Sequence, residues 1–272
     1  MNRILPLFFV LSGFFLAAAN PDDRQVQPRT SDPSANAKEA ADGNGDTLLV
    51  PPRQRAVVDP ARLLEALPEE REAVRAAIVG RGGAGYDNRG RVRSIGSEEA
   101  TDADMRLFGA LPGLEALSVG PPVRKCLEAR YGHPTVSDAG MTSLLKTSKL
   151  RSVDLVDTQV TNEGLKVIGQ LTDIESLRLC SPQITGAGMA YLDGLKHLQS
   201  LYLTGCRVGD DGMRSIAGHA ILRRLHLDGS ATRRGLAELV RLSSLDELRI
   251  DRGFIRDDDL VPIGQITSLG SL

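Results

Sequence analysis

Leu150-Arg151-Ser152-Val153-Asp154-Leu155-Val156-Asp157-Thr158-Gln159-Val160-Thr161-Asn162-Glu163-Gly164-Leu165 is the stretch of this 272-residue chain that decides its fold. It opens with an apolar residue, two variable ones, an apolar, one variable and another apolar. The phrase returns as Ile174, Leu177, Leu179, then Leu198, Leu201, Leu203, then Leu222, Leu225, Leu227, then Leu245, Leu248, Ile250. First positions at 150, 174, 198, 222, 245 and 269 are separated by 24, 24, 24, 23 and 24 residues. Such a period marks a stack of units, because one unit cannot bury its own apolar face and neighbours must complete the core. Alternation along each extended run sends the repeating apolar positions inward and their neighbours to the open face.

The second half of the quoted stretch also recurs, as Val136-Ser137-Asp138-Ala139-Gly140-Met141, Ile184-Thr185-Gly186-Ala187-Gly188-Met189 and Val208-Gly209-Asp210-Asp211-Gly212-Met213. Ser, Thr, Gly and acidic residues cap and start helices, and negative charge in the first turn suits the helix dipole. Leu165, Ile168 and Leu171 continue at helical spacing. Each unit therefore reads strand, turn, helix, turn, which builds a parallel sheet with helices on its outer side.

The paired phrases resemble the leucine-rich repeats of planctomycete-type bacterial secreted proteins and the ribonuclease-inhibitor-like repeats of F-box substrate receptors. The resemblance covers about residues 92–272. It implies an α/β fold, a right-handed solenoid with the parallel sheet on its concave face, helices on its convex face and a protein partner bound to the sheet. The ninth repeat position, often an Asn that ties neighbouring turns together, here holds Thr158, Pro182, Cys206, Ser230 and Gly253. A continuous side-chain ladder at that position is therefore not expected.

Working outward, Leu107, Leu111, Leu114, Leu117 and Val119 form a first repeat, and the step from Leu114 to Leu150 is 36 residues. An insertion around Gly120, Pro121 and Pro122 followed by an irregular strand at Cys126, Ala129 and Tyr131 would account for it. Before the array, Asp59 and Pro60 open an amphipathic helical stretch with Leu63, Leu64, Leu67, Val74, Ala77, Ile78 and Val79, dented at Pro68 and stopped by Gly80, Gly82 and Gly83. Two short extended runs around Asp87, Asn88, Arg89 and Gly90 predict a hairpin. Gly80-x-Gly82-Gly83-x-Gly85 follows a helix rather than a strand, so it reads as a turn and not as a phosphate loop.

At the start, Arg3 precedes an apolar run from Ile4 to Leu16 and the small residues Ala17, Ala18 and Ala19. This is the pattern of a cleaved secretory signal, too short and interrupted to span a membrane. Residues 20–59 are polar and proline-rich, a linker that cannot bury enough to order itself. The expected organisation is thus signal peptide 1–19, linker 20–59, helix and hairpin cap 60–96 and repeat array 97–272, in a secreted or cell-envelope protein with no membrane span after cleavage. Net charge is −2, which gives no basic field for nucleic acid. Three cysteines, Cys126, Cys180 and Cys206, are too few for a disulfide scaffold and read as small buried fillers.

The middle variable position of each strand forms a column, Ser118, Asp154, Arg178, Tyr202, His226 and Arg249, flanked by Val156, Cys180, Thr204, Asp228 and Asp251. Adjacent strands lie about 4.8 Å apart, so these side chains make one surface. Tyr and Arg are frequent anchors of protein interfaces, and Asp154, Arg178, Tyr202, His226, Asp228 and Arg249 are the candidate partner-binding residues. The same residues could equally solvate a sheet face in local pairs, Asp154 with Arg178 and Asp228 or Asp251 with Arg249. None of His133, His197, His219 and His226 has a second histidine at metal-binding spacing, and no two cysteines lie two apart. No metal, cofactor or catalytic set is expected. The functional expectation is non-catalytic protein binding. The alternatives are structural assembly or self-association through an open C-terminal edge, and, by resemblance alone, a ubiquitin-ligase substrate receptor.

Overall fold

The computed structural model describes residues 68–121, 134–228, 232–251 and 257–271. The expected signal peptide and linker, the first part of the capping helix, the expected strand at Cys126, Ala129 and Tyr131, and the ninth positions Ser230 and Gly253 lie outside those residues.

Helix α1 (Pro68–Val79) begins, among the described residues, with proline at a position where a missing N–H is harmless. Ala73, Val74 and Ala77 are buried, whereas Ile78 and Val79, expected on the same face, are exposed. At 100° per residue Ile78 falls at the edge of that stripe and Val79 opposite it. The helix ends in a Schellman turn: the Gly82 N–H donates to the Ala77 carbonyl at 2.8 Å and the Arg81 N–H to the Ile78 carbonyl at 3.1 Å. Arg81 takes the left-handed conformation (φ 61°). A Cβ on Gly82 would overlap the Gly96 carbonyl, so the glycine run is a helix stop pressed against the hairpin.

That hairpin pairs β1 (Gly83–Tyr86) with β2 (Val92–Ser97) antiparallel. Asp87 holds the turn, accepting from the N–H groups of Arg89 and Arg91, each at 2.9 Å, and from the Arg93 guanidinium at 2.7 and 2.9 Å. The Arg91 N–H and then Arg93 keep the Asp87 carboxyl below its ordinary pKa. Strand β2 next pairs parallel with β3 (Ala116–Val119), and the parallel ladder runs on through β4 (Ser152–Val156), β5 (Ser176–Cys180), β6 (Ser200–Thr204), β7 (Arg224–Asp228) and β8 (Glu247–Asp251). The result is one eight-stranded sheet in chain order. Leu177, Leu179, Leu201, Leu203 and Leu225 are at most 1% exposed, as alternation requires.

Across the 36-residue step, strand β3 pairs directly with β4, Leu117 opposite Val153.

On the other side lie α2 (Asp102–Gly109), α3 (Asp138–Met141), α4 (Asn162–Ile168), α5 (Gly186–Met189), α6 (Gly209–Ile216), α7 (Arg233–Glu238) and α8 (Asp257–Leu260), several extended by a 3-10 turn. Their N-termini carry a ladder that the sequence reading saw only as caps. The first residue of one helix, or the second in α6, accepts from the cap residue of the next. Asp102 Oδ1 takes the Ser137 N–H at 2.8 Å and Oδ2 its hydroxyl at 2.7 Å, and Asp138 holds Thr161 at the same two distances. Asn162 Oδ1 takes the Thr185 N–H at 3.0 Å while its own Nδ2 donates to the Thr185 hydroxyl at 2.8 Å. Asp210 accepts from the Thr232 N–H and hydroxyl and from the Gly235 N–H. Ser137, Thr161 and Thr232 also cap their own helices; Thr185, whose oxygen accepts from Asn162, does not.

The third helical residue explains the recurring glycine. A Cβ on Gly140, Gly164, Gly188 or Gly235 would overlap the ladder oxygen of Asp102, Asp138, Asn162 or Asp210 respectively. Gly186 interrupts the ladder once, and there a Cβ on Gly212 would meet the Gly186 Cα itself. At the ninth position Thr158 is buried with its hydroxyl unpartnered, and the Cys206 thiol donates to the Leu179 carbonyl of the preceding repeat at 3.6 Å. At the far end, Ser271 bridges Glu247 in parallel, and the Leu248 N–H donates to the Ser271 carbonyl at 3.2 Å.

Candidate functional site

The strand register sets Ser118, Asp154, Arg178, Tyr202, His226 and Arg249 side by side across six strands. Each occupies an outward position because leucine or another aliphatic residue on either side points into the core. The row is not a set of independent solvated side chains. Arg178 Nη1 lies 3.5 Å from Asp154 Oδ2, and the Arg178 guanidinium stacks 4.6 Å from the centre of the Tyr202 ring. Tyr202 meets His226 edge to face with 6.2 Å between ring centres, and His226 Nε2 lies 2.7 Å from Asp251 Oδ2. A carboxylate, a guanidinium, two rings and a second carboxylate thus form one chain of contacts across β4 to β8. Cation–π and aromatic contacts of this kind contribute on the order of 1 kcal/mol each and fix the rings in place.

The local pairing expected from sequence holds for Asp154 with Arg178. Asp251 is engaged by His226, and Asp228 Oδ2 accepts the Gly205 N–H at 2.8 Å, closing the turn after β6. In the sequence Asp251 stands as a flanking residue and a candidate partner of Arg249. Arg224, two positions before His226 on the same face, was not singled out; its Nε donates to Ser200 Oγ at 3.0 Å. The signal for both was available, since the period of two places residues 224, 226 and 228 together.

Exposure is uneven along the row, the Arg178 and His226 side chains being equally covered at 13% and 12% exposed. Asp154 and Tyr202 are buried, as are the flanking Val156 and Cys180, which pack on each other and do not form an open face. Arg178, His226, Asp228 and Arg249 are half-buried, while Arg224 and Asp251 are exposed. The surface expected to be open from β4 onward is accessible chiefly at β7 and β8.

The buried end holds the most perturbed group. Asp154 Oδ1 has no hydrogen-bond partner, and Oδ2 accepts from Ser118 Oγ at 3.5 Å. Burial pushes the Asp154 carboxyl up to about 6, against the opposing pull of Arg178 and Ser118. His219, away from the sheet, is pushed below its ordinary value by burial. Among the described residues no group of three or more His, Cys, Asp or Glu side chains could hold a metal, and no helix is long and apolar enough to cross a membrane.

Comparison with known proteins matches this geometry. The leucine-rich repeat family profile matches residues 147–169 and 194–217. The structure is similar to internalin C2 of Listeria monocytogenes (TM-score 0.51, 22% identity, covering 75% of this chain and 82% of that one). It is also similar to the internalin InlF of the same organism (TM-score 0.50, 20% identity, 66% and 46%). No curated protein matches the chain. The repeat period, the chain-order parallel sheet with its alternating helices and these similarities make the chain a leucine-rich repeat solenoid.

Proposed function

We propose that this solenoid is an exported, non-catalytic binding protein of the bacterial secreted type, which holds a protein partner against its concave sheet, chiefly at β7 and β8. The observation that carries the reading is the continuous row of contacts. Asp154, Arg178 and Tyr202 are pre-organised by their own contacts, and Arg249, Asp228, Asp251 and Arg224 stand beside His226 at β7 and β8. Side chains already held in place lose less entropy when a partner arrives. Tyr and Arg beside a half-buried imidazole are the residue types that dominate interface energetics.

Two experiments test this. With a partner captured from the envelope fraction, combined Tyr202→Ala, His226→Ala and Arg249→Ala substitution should weaken its affinity by about 2 kcal/mol or more, roughly 30-fold. Unchanged affinity would remove the concave site. For export, N-terminal sequencing of protein secreted by a bacterial host should begin at Asn20; an intact Met1 would remove the signal peptide.

A further inference from the structure

The last junction of the helical face departs from the others. The ladder residue of each repeat is Asp102, Asp138, Asn162, Gly186 and Asp210 in turn, and at the next position it is Arg233, which cannot accept a hydrogen bond. The glycine position of the following repeat is Asp259, so the close glycine approach of the earlier junctions has no counterpart in the sequence here. Between α7 and the segment following α8 lies a groove of about 740 Å³ whose walls include Arg233, Arg234, Ala237, Val240, Val261 and Pro262.

Two properties of the groove specify what would fill it. Neither the Arg233 nor the Arg234 guanidinium is engaged by another side chain among the described residues. The nearby Glu238 does not neutralise them, being held by Arg241 at 3.2 Å and Arg214 at 3.6 Å, and Asp210 is spent on Thr232 and Gly235. Val240 and Val261, with the adjacent Leu260, are among the few large apolar side chains left exposed, at 37%, 52% and 37%. Two uncommitted cations beside exposed aliphatic surface complement a carboxylate placed next to an aliphatic side chain. Guanidinium groups bind carboxylates in forked pairs, and the aliphatic contact would add burial.

We propose that this convex groove is a second binding site, separate from the concave sheet, for a short acidic and aliphatic peptide segment of a protein partner. Arg233 and Arg234 would hold its carboxylates, and Val240 and Val261 its apolar side chain.

The test is fluorescence anisotropy of the full chain with a labelled acetylated hexapeptide, Gly-Asp-Leu-Leu-Glu-Gly, and with its Asn/Gln counterpart. The acidic peptide should bind saturably and the amide peptide at least tenfold more weakly. Arg233→Gln with Arg234→Gln should weaken the acidic peptide at least tenfold, and Val261→Ser should weaken both peptides. The concave triple variant should bind as the wild type does, so that this site and the concave reading stand or fall separately. Equal affinity for the two peptides, no saturable binding, or loss of binding in the concave variant would overturn the proposal. So would a double Gln variant that loses thermal stability without losing affinity, since the arginines would then serve the packing of α8.

Discussion

Wild-type stability should fall by about 2 kcal/mol between pH 4 and pH 7 through a single carboxyl, and Asp154→Asn should abolish that component. The Asp154 pKa is about 6 in the fold against 3.8 as its ordinary value, raised first by burial. A shift of about two units at roughly 1.4 kcal/mol per unit sets the full effect at about 3 kcal/mol, part of which is already lost at pH 4, above the unfolded pKa. As pH rises past 3.8 the unfolded chain releases this proton while the native chain keeps it, so native stability declines until the folded carboxyl also ionises near pH 6. Above that the cost is constant. Asparagine does not titrate but still offers Ser118 an acceptor, and Arg178 keeps its stacking on Tyr202. Urea unfolding of both proteins from pH 4 to 8 would show the variant gaining on the wild type with rising pH. Asp87, held low by the hairpin turn, and His219, held low by burial, lose stability toward acid instead, but they are common to both proteins and cancel in the difference. A difference that stays constant across the range would mean that Asp154 is not the buried, under-partnered group described above.

The second large effect belongs to the helical face. Gly188→Ala should lower stability by about 2 kcal/mol, net of a gain of up to about 1 kcal/mol from alanine's helix preference. Its Cβ would overlap Asn162 Oδ1 and crowd Leu165. Asn162 cannot yield without losing both bonds to Thr185. Because each repeat is stabilised by its neighbours, a defect at one junction weakens the whole stack. Gly264→Ala is the control: no atom lies near its added Cβ, and it should change thermal or urea stability by less than about 0.5 kcal/mol. Equal losses at both glycines would deny the ladder its role.

The strands and their register were legible because the pattern that builds them is dense: every second residue of Leu177, Leu179, Leu201 and Leu203 must enter the core, so a period of two and a period of 24 together fix who faces whom. The helical phrase was legible as a set of caps and no further. That Asp138 reaches Thr161 in the next repeat depends on the rise between stacked units, which no single phrase encodes. The sequence did hold an indirect sign of it, the glycine that recurs at the same place in each helical phrase, at Gly140, Gly164, Gly188 and Gly212, where no turn requires one. On the candidate site, the composition of the row was readable and its accessibility was not. Exposure at Tyr202 is set by Arg178 stacking on one side and His226 on the other, and the His226 to Asp251 contact is chosen by side-chain reach and not by strand position.

Hydrogen–deuterium exchange of the chain with and without its captured partner tests the concave assignment most directly. Partner binding should add protection at residues 224–228 and 247–251 and at the turn around Gly205, whose N–H is held by Asp228, with little change in α2 to α6. Protection confined to the helices of the convex face, with the β7 and β8 amides unchanged, would contradict it.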